Sequence, residues 1–383
     1  MLTNSGKILI VLVLILSTIG LIVVLSASSI TSIDTYSSQW TIFSRQLMWM
    51  IVGVFLMSVV ALKIPFSFWR KISRMFLVAV MVLLVLVIIP GVATPLQGAT
   101  RWIGYGMFNV QPSELMKLAL VVFGADFLDR RSNYIDNWRY SVVPLTILTV
   151  IAMGLVVKEP DLGTSIVLAV ILMSLLTAAG VNIKVLITMT LSGIVSVLIL
   201  AVVQPYRFDR LLTFIHPFAN SSTSGYQMTQ SLIALGSGHI FGVGLGASAS
   251  KWGFLPNPQT DFIFAVIGQE SGLIGSLIVI ALFGIVGFMG YKIAKEANDN
   301  FTALLAVGIT TWITSQAVIN IGGVIGALPV TGIPLPLVSF GGSSLVAEMT
   351  AFGILLAISR SSKIKKTMPT KLAKRIKTSS GMR

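Results

Sequence analysis

Cysteine is absent from the sequence, and histidine occurs only at positions 216 and 239. A thiol nucleophile, a disulfide scaffold and a zinc site built from His and Cys ligands are therefore excluded. Charged residues are also scarce, because they make up 10% of the 383 residues, against about 25% in soluble domains. This shortage excludes a soluble globular domain, a disordered chain and a coiled coil.

Apolar residues make up 55% of the chain, and the mean hydropathy is +0.92. This composition is typical of an integral membrane protein, in which runs of about 18 or more apolar residues predict spanning helices. We predict ten spans, at residues 7–30, 46–63, 74–90, 113–129, 141–158, 162–180, 184–204, 261–291, 300–323 and 341–360. The first is counted as a span because its apolar run, residues 8–24, is too long for the core of a signal peptide.

The predicted fold is thus an all-α polytopic membrane protein of about ten transmembrane helices, with a large extracytoplasmic loop between helices 7 and 8. Residues 1–360 form one transmembrane domain, and residues 361–383 form a basic cytoplasmic tail. Such a tail is expected to anchor the topology and to contact anionic lipid.

The charge balance predicts the orientation of the chain. The net charge is +14, from 27 Lys and Arg residues against 13 Asp and Glu residues. When the loops alternate from a cytoplasmic N-terminus, 20 of these 27 basic residues fall on the inner side. This distribution agrees with the positive-inside rule and predicts that both termini are cytoplasmic. The basic character therefore reflects the membrane, and no nucleic-acid partner is expected.

Three segments on the predicted outer side are unusually long or rich in Gly and Pro. They are residues 91–113, 204–260 and 322–342. Long loops in a compact protein are usually functional. Apolar backbone with many Gly and Pro residues beside a membrane predicts re-entrant segments that line a cavity, rather than free coil.

Acidic residues in or beside the spans are candidates for function, because they are costly there. Asp261 lies between a Pro-rich loop and an apolar helix, so it is either a helix N-cap or a functional carboxylate. Glu270 lies nine residues later, about 13 Å along a helix and half a turn round it. The two are therefore not expected to form an acid/base pair, and Glu270 is expected to make a buried polar contact that orients helices.

Other ionisable residues each allow two interpretations. Glu114 and Lys117, at i and i+3, form a local ion pair, or Glu114 positions Lys117 to face an anionic head group. Asp161 in EPDLGT is expected to complement the N-terminal dipole of a helix. Arg207 and Arg210 share one face of an interfacial helix, where they extend to the interface or bind a lipid pyrophosphate.

Five segments together resemble one known family. They are RWIGYGMFNVQPSELMKLAL, KEPDLGTS, GYQMTQSLIALGSGHIFGVGLG, LPNPQTDFIFAVIGQESGLIG and PLPLVSFGGSS, in that order. Their residues and their order resemble the sequence motifs of the SEDS family, whose FtsW, RodA and SpoVE proteins act in bacterial division, elongation and sporulation. The resemblance covers nearly the whole chain. The segments TDFIFAVIG and PVTGIPLPLVSFGGSS are more similar to the FtsW subfamily than to RodA.

The resemblance implies a membrane peptidoglycan glycosyltransferase with ten helices. Members polymerise lipid II into β-1,4 glycan on the outer face of the bacterial cytoplasmic membrane, releasing undecaprenyl diphosphate. Their partner is a class B penicillin-binding protein, an FtsI-like transpeptidase, and FtsW members work with other divisome proteins. A septal role in cell division is therefore expected for this chain.

The resemblance also implies roles for individual residues. The catalytic aspartate of the family falls at Asp261, which favours the functional interpretation of this residue. Its carboxylate would accept the proton of a sugar 4-OH during attack on the donor. The diphosphate leaving group needs cations instead, from protein side chains or from a divalent metal such as Mg or Mn held by few ligands; no organic cofactor is expected. The candidate cations are Arg101, Lys117, Arg207 and Arg210, and the candidate supporting residues are Glu114, Asp161, Gln227, Glu270 and Ser343.

The chain departs from the family at several places, of which two concern candidate functional residues. Relatives commonly have Glu and His before the catalytic aspartate, where this chain has Asn257, Pro258 and Gln259. Glu348 lies in the last span, where a small or amide residue is more frequent, and the sequence offers no role for it. The alternatives to a septal polymerase are a lipid II flippase, a RodA-like polymerase of elongation and a scaffold that recruits a transpeptidase.

Overall fold

The computed structural model describes residues 2–96, 99–105, 108–203, 214 and 225–380, which form eleven α-helices and three short strands. The helices are α1 (Asn4–Tyr36), α2 (Thr41–Lys63), α3 (Phe66–Ile88), α4 (Pro112–Arg130), α5 (Trp138–Lys158), α6 (Leu162–Ala178), α7 (Ile183–Val203), α8 (Tyr226–Ser237), α9 (Ile263–Lys295), α10 (Asn300–Val324) and α11 (Gly342–Ser380). The strands are β1 (Thr94–Leu96), β2 (Ala99–Tyr105) and β3 (Phe108–Val110).

Seven helices are long and apolar enough to cross a membrane: α1, α2, α3, α5, α9, α10 and the Gly342–Ser362 part of α11. Helix α6 and the Ile183–Ser196 part of α7 are apolar but shorter. Helix α4 carries five charged residues along its 19 positions. All ten predicted spans therefore fall on helices, and the helical membrane fold is confirmed, whereas the count of ten crossings stays a prediction. Helix α11 continues to Ser380, so the predicted basic tail begins as part of this helix.

Residues 91–113 contain the three strands, which the all-α prediction missed. The strands form one antiparallel sheet in the order β1-β2-β3, with Ile103 opposite Val110 in the second pair. Aromatic and β-branched residues favour strands, and glycines interrupt this stretch before a helix could form. The sheet contacts α3 and α4 through β2.

The segment between α10 and α11, residues 325–341, is irregular, and it is buried mainly between residues 333 and 339. Ile333, Leu335, Leu337 and Val338 are each at most 2% exposed. Leu337 has φ 64°, a left-handed conformation that is uncommon outside glycine. This segment therefore agrees with the prediction of non-helical backbone buried against the bundle.

Helix α9 is interrupted at Gly272, where φ is 68° and ψ is −163°. The preceding loop hydrogen-bonds to the helix around this break, because Leu273 N donates to His239 O at 3.0 Å and Val243 N donates to Gln269 O at 3.0 Å. A positive φ at this position favours glycine, which has no Cβ. The break separates a short first part, which follows Asp261, from a long apolar second part.

Helix α1 passes very close to the irregular segment at Gly20. A Cβ at this position would lie 2.7 Å from both Cα and O of Val338. We therefore expect Gly20→Ala to destabilise the protein by about 1–3 kcal/mol, because added volume in a packed core displaces its neighbours. Thermal unfolding of the purified protein in detergent measures the change.

Gly154→Ala is the matched control for this substitution. Gly154 lies in α5, and a Cβ at this position would have no atom from the rest of the protein within 4 Å, so the added methyl group meets open space. Alanine also has the higher helix propensity, so this variant should be at least as stable as the native protein. Equal unfolding temperatures for the two variants would contradict the close approach at Gly20.

Candidate functional site

A cavity of about 340 Å³ lies between the sheet, the N-terminal ends of α4 and α6, and the segment 325–341. It brings together five of the predicted site residues, which are Arg101, Glu114, Asp161, Asp261 and Ser343. These residues are far apart in the sequence and come from five different parts of the fold. The cavity is therefore the candidate active site.

Asp261 lies two residues before α9 on the cavity wall. The N-cap residue of α9 is Phe262, whose side chain makes no capping hydrogen bond, so Asp261 is not the N-cap residue of this helix. Asn320 fixes the backbone at this point, because its Nδ2 donates to Asp261 O and to Ile333 O, both at 2.8 Å. A Cβ at Gly332, where φ is 73°, would lie 3.5 Å from Asp261 Oδ2. The carboxylate thus lies against the segment 325–341.

The departure at positions 257–259 forms the turn that precedes Asp261. Asn257 has φ 51°, which asparagine tolerates better than most residues, and its carbonyl accepts from Thr260 N at 3.1 Å. Phe340 N donates to Gln259 O at 2.9 Å, and Ser339 Oγ donates to Thr260 O at 2.6 Å. The turn at residues 257–260 therefore holds Asp261 against the segment 325–341 through backbone atoms.

Arg101 on β2 connects the sheet to the turn between α5 and α6. Its Nε donates to Glu159 O and its Nη2 donates to Pro160 O, both at 2.7 Å. Asp161 follows these carbonyls and caps α6, accepting from Thr164 N at 3.0 Å and from Thr164 Oγ1 at 2.8 Å. The predicted interaction of Asp161 with a helix N-terminus is confirmed. Both side chains line the cavity.

Glu159 is a buried acid beside this turn. It is 1% exposed, and neither carboxylate oxygen has a hydrogen-bond partner in the described part of the chain. Its pKa is raised from 4.5 to about 8, mainly because burial removes water from the carboxylate and secondarily because Asp161 is close, while Arg101 lowers it. Glu159 is therefore largely protonated at neutral pH in the folded protein.

This raised pKa predicts a pH dependence of stability. Between pH 4.5 and about 8 the unfolded chain loses the Glu159 proton and the folded chain keeps it, so the free energy of unfolding falls as pH rises through this window. Glu159→Gln removes the titrating group. The unfolding temperature of the variant, relative to the native protein, should therefore be higher at pH 8 than at pH 5. A difference that does not change with pH would contradict the prediction.

Lys117 and Glu114 form a buried ion pair in α4. Lys117 Nζ lies 2.8 Å from Glu114 Oε2, and both side chains are at most 1% exposed. Lys117 Nζ also donates to Gln316 Oε1 at 2.7 Å. The ion-pair interpretation is confirmed. Glu114 lines the cavity and Lys117 lies behind it, so a contact between Lys117 and a diphosphate stays a prediction.

The remaining predicted residues lie in different places. Glu270 is buried and accepts a hydrogen bond from Ser26 Oγ of α1, which confirms the predicted contact between helices. Gln227 is half-buried on α8 and does not line the cavity. Arg207 and Arg210 lie outside the described residues. Over the described ranges no cluster of three His, Asp or Glu side chains could hold a metal ion, so the Mg or Mn prediction stays open.

Arg45 is a cavity residue that the sequence analysis missed. It lines the cavity together with Trp49, one helical turn further along α2. Its Nη1 donates to Tyr36 Oη at 3.1 Å, and its guanidinium carbon lies 4.6 Å from the centre of the Tyr36 ring. Among the described residues, Arg45 and Arg101 are the cations that line the cavity. A signal was available, since an Arg and a Trp four residues apart share one helix face.

The sequence was compared with known families and proteins. The family model described as "Cell cycle protein", which covers FtsW, RodA and SpoVE, matches residues 7–364. The chain is 41% identical over 357 residues to "Probable peptidoglycan glycosyltransferase FtsW" of Mycobacterium tuberculosis, covering 93% of this chain and 68% of that protein. It is 39% identical over 361 residues to stage V sporulation protein E of Bacillus subtilis, covering 94% of this chain and 98% of that protein.

Solved structures share the fold. A peptidoglycan synthase complex, described as coordinating polymerization and crosslinking, matches with a TM-score of 0.75 at 24% identity, over 92% of this chain and 97% of the other. The rod shape determining protein RodA of Thermus thermophilus matches with a TM-score of 0.67 at 23% identity, over 92% of this chain and 96% of the other. At these identities the structures support the fold alone, whereas the family model and the sequence relatives support descent. The chain therefore belongs to the FtsW, RodA and SpoVE family of cell cycle proteins.

Proposed function

We propose that this chain is a peptidoglycan glycosyltransferase that polymerises lipid II into β-1,4 glycan and releases undecaprenyl diphosphate. The observation that carries the proposal is the cavity, which the acid Asp261 and the cations Arg45 and Arg101 line together. The family relatives with 39–41% identity include one named as a peptidoglycan glycosyltransferase, which supports the same reaction.

The cavity supplies the groups that this reaction needs. A sugar 4-OH is a poor nucleophile, and a carboxylate within hydrogen-bond reach accepts its proton as it attacks the anomeric carbon. Asp261 has this role in the proposal. The leaving diphosphate needs no acid but is stabilised by cations, and planar guanidinium groups suit its oxygens. Arg45 and Arg101 provide them, and a single displacement inverts the α-linked donor to the β-glycan.

A divalent cation is part of the proposal. Mg²⁺ is commonly bound by one or two carboxylates together with the phosphates of the substrate. The carboxylates of Asp161 and Asp261 line the same cavity, so these residues would bind the ion. When bound, Mg²⁺ or Mn²⁺ would neutralise charge on the leaving diphosphate.

The proposal places the cavity on the outer face of the cytoplasmic membrane and both termini in the cytoplasm, as the distribution of basic residues predicts. The partner is a class B penicillin-binding protein that cross-links the glycan. A fold neighbour is a peptidoglycan synthase complex, which supports a partner of this kind. The FtsW relatives support a septal role with other divisome proteins, and the SpoVE and RodA relatives define the alternatives.

The experiment is polymerisation of labelled lipid II by the purified chain with its class B partner, reconstituted in liposomes. The expected product is long glycan, resolved by gel electrophoresis and degraded by a muramidase. The partner alone is the control for contaminating activity. Movement of lipid II across the bilayer without glycan would instead favour the flippase. If the reconstituted protein shows neither activity, the scaffold is favoured.

A further inference from the structure

Glu348 is an acidic residue in the interior of the helix bundle. It lies on the membrane-spanning part of α11, its exposed fraction is 0%, and it follows Ser344 of the cavity wall by one helical turn. A carboxylate in such a place is costly unless it is paired or hydrogen-bonded. The groups that contact Glu348 therefore indicate why the bundle contains it.

One oxygen of Glu348 contacts the wall formed by residues 325–341. Glu348 Oε2 accepts from Leu337 N at 2.8 Å, and Leu337 is the residue held in the left-handed conformation. Backbone in this conformation persists only where surrounding contacts hold it. The same turn includes Ser339, whose Oγ donates to the carbonyl of Thr260, immediately before Asp261. Glu348 thus stabilises the turn against which Asp261 is fixed.

The other oxygen of Glu348 contacts the wall formed by α4, through Gln316. Gln316 Nε2 donates to Glu348 Oε1 at 3.3 Å, and Gln316 Oε1 accepts from Lys117 Nζ at 2.7 Å and Trp312 Nε1 at 2.8 Å. Reversing this amide would direct its NH₂ group at two donors and its oxygen at a carboxylate. Gln316 Nε2 also donates to Pro334 O at 3.0 Å, so Glu348 and this carbonyl together fix the amide orientation that holds Lys117, and with it the ion pair to Glu114 in the cavity wall.

We infer that Glu348 is a positioning residue for glycosyl transfer, which fixes the position of two walls of the Asp261 cavity relative to each other. It acts through Leu337 on one wall and through Gln316 on the other. The kinetic part of this inference rests on the proposed function, whereas the geometric part does not. The inference gives a role to a residue at which the chain departs from its family.

Glu348→Gln tests the inference with almost no change in shape. The variant has one acceptor oxygen, so if that oxygen faces Leu337, its NH₂ group faces the NH₂ group of Gln316. We expect kcat for lipid II polymerisation to fall by about tenfold or more, the effect of leaving one buried polar group without its hydrogen-bond partner. The KM should change by less than about twofold, because Glu348 does not contact substrate and misplaced groups cost rate.

The reciprocal exchange, E348Q with Q316E, should restore part of the rate. The amide at position 348 then donates to the side chain at position 316, whose oxygens still accept from Lys117 and Trp312, while the bond from position 316 to Pro334 O is lost. A residue that only filled space would not be rescued in this way. The control is Thr350→Val on the same helix, because the Thr350 hydroxyl donates to Val346 O within its own helix and should not affect the rate.

A second readout needs no polymerisation. Because the chain has no cysteine, Trp102→Cys and Phe340→Cys place two spin labels on different elements of the cavity wall. Electron paramagnetic resonance then measures the distance between them. We expect one narrow distribution in the otherwise native protein, a broad one with Glu348→Gln, and a narrow one again in the exchange.

The outcomes separate the inference from the proposed function. Native kcat and an unchanged distribution in Glu348→Gln would overturn the positioning role. If Glu348→Gln broadens the distance distribution between the spin labels but the native protein makes no glycan, the positioning role is supported and the polymerase is contradicted. If Glu348→Gln does not fold, the exchange decides: a folded exchange with the native distribution supports the inference, and an exchange that also fails contradicts it.

Discussion

Asp261→Asn should reduce polymerisation of lipid II by about 10²–10⁴-fold, which is the usual contribution of a general base. Asparagine keeps the shape of the side chain, but its amide cannot accept the proton of the attacking hydroxyl. The backbone of Asp261 is held by Asn320, so the variant should keep the native fold around the cavity. Glycan formed from labelled lipid II in the presence of the class B partner measures the loss.

Asp136→Asn provides the control for this loss. Asp136 is an exposed acid in the loop between α4 and α5, at the end of the bundle opposite the cavity. This variant should polymerise lipid II at the native rate. Equal product from native protein and a folded Asp261→Asn variant would exclude Asp261 as the base and would require another acceptor for the proton.

Arg101→Gln should lower the rate by about 10²–10³-fold, the typical cost of removing one group that stabilises developing negative charge. Two effects add at this residue. The cavity loses a cation, and the sheet loses two hydrogen bonds of 2.7 Å that fix it to Glu159 O and Pro160 O. Arg101→Lys keeps the charge but cannot donate to both carbonyls in the same planar arrangement. The polymerisation rate of Arg101→Lys should therefore lie between that of the native protein and that of Arg101→Gln.

Initial rates at several lipid II concentrations separate these two effects. Loss of the cation should lower kcat, whereas a displaced sheet should also raise the KM for lipid II. Arg139→Gln is the matched control, because Arg139 is exposed at the far end of the bundle from the cavity. A rate for Arg101→Gln within twofold of this control would contradict a role for Arg101 at the diphosphate.

Much of the fold could be predicted because apolar runs of helical length are a strong signal. All ten predicted spans coincide with helices, and the two acids expected to have structural contacts, Asp161 and Glu270, make them. The partner of Asp161 is a neighbour in sequence, whereas Glu270 accepts from Ser26 on α1, so the sequence predicted that Glu270 makes a buried contact but not with which residue. Asp261 could be selected because the family motif adds information that the residue type alone does not contain.

The cavity as a whole could not be predicted, since its walls come from residues that are distant in sequence. Arg45 is an ordinary charge at the end of a span in the sequence, and only the packing of α2 against α11 and α1 places it on the wall of the cavity that Asp261 also lines. The sheet itself was missed because its strands are only three to seven residues long. The partners of Glu348 lie on α10 and in the segment 325–341, and no local pattern indicates such contacts.

The interruption of α9 at Gly272 has a mechanical consequence. An α-helix transmits tilt along its length because its successive backbone hydrogen bonds make it stiff. At Gly272 the backbone leaves the helical conformation, and the loop at His239 bonds to the helix there. Bilayers of different thickness change the tilt of apolar helices. The tilt of the long second part of α9 therefore reaches the short part that follows Asp261 through the loop at residues 239–244, which bonds to Gln269 before the break and to Leu273 after it, rather than through continuous helical hydrogen bonds.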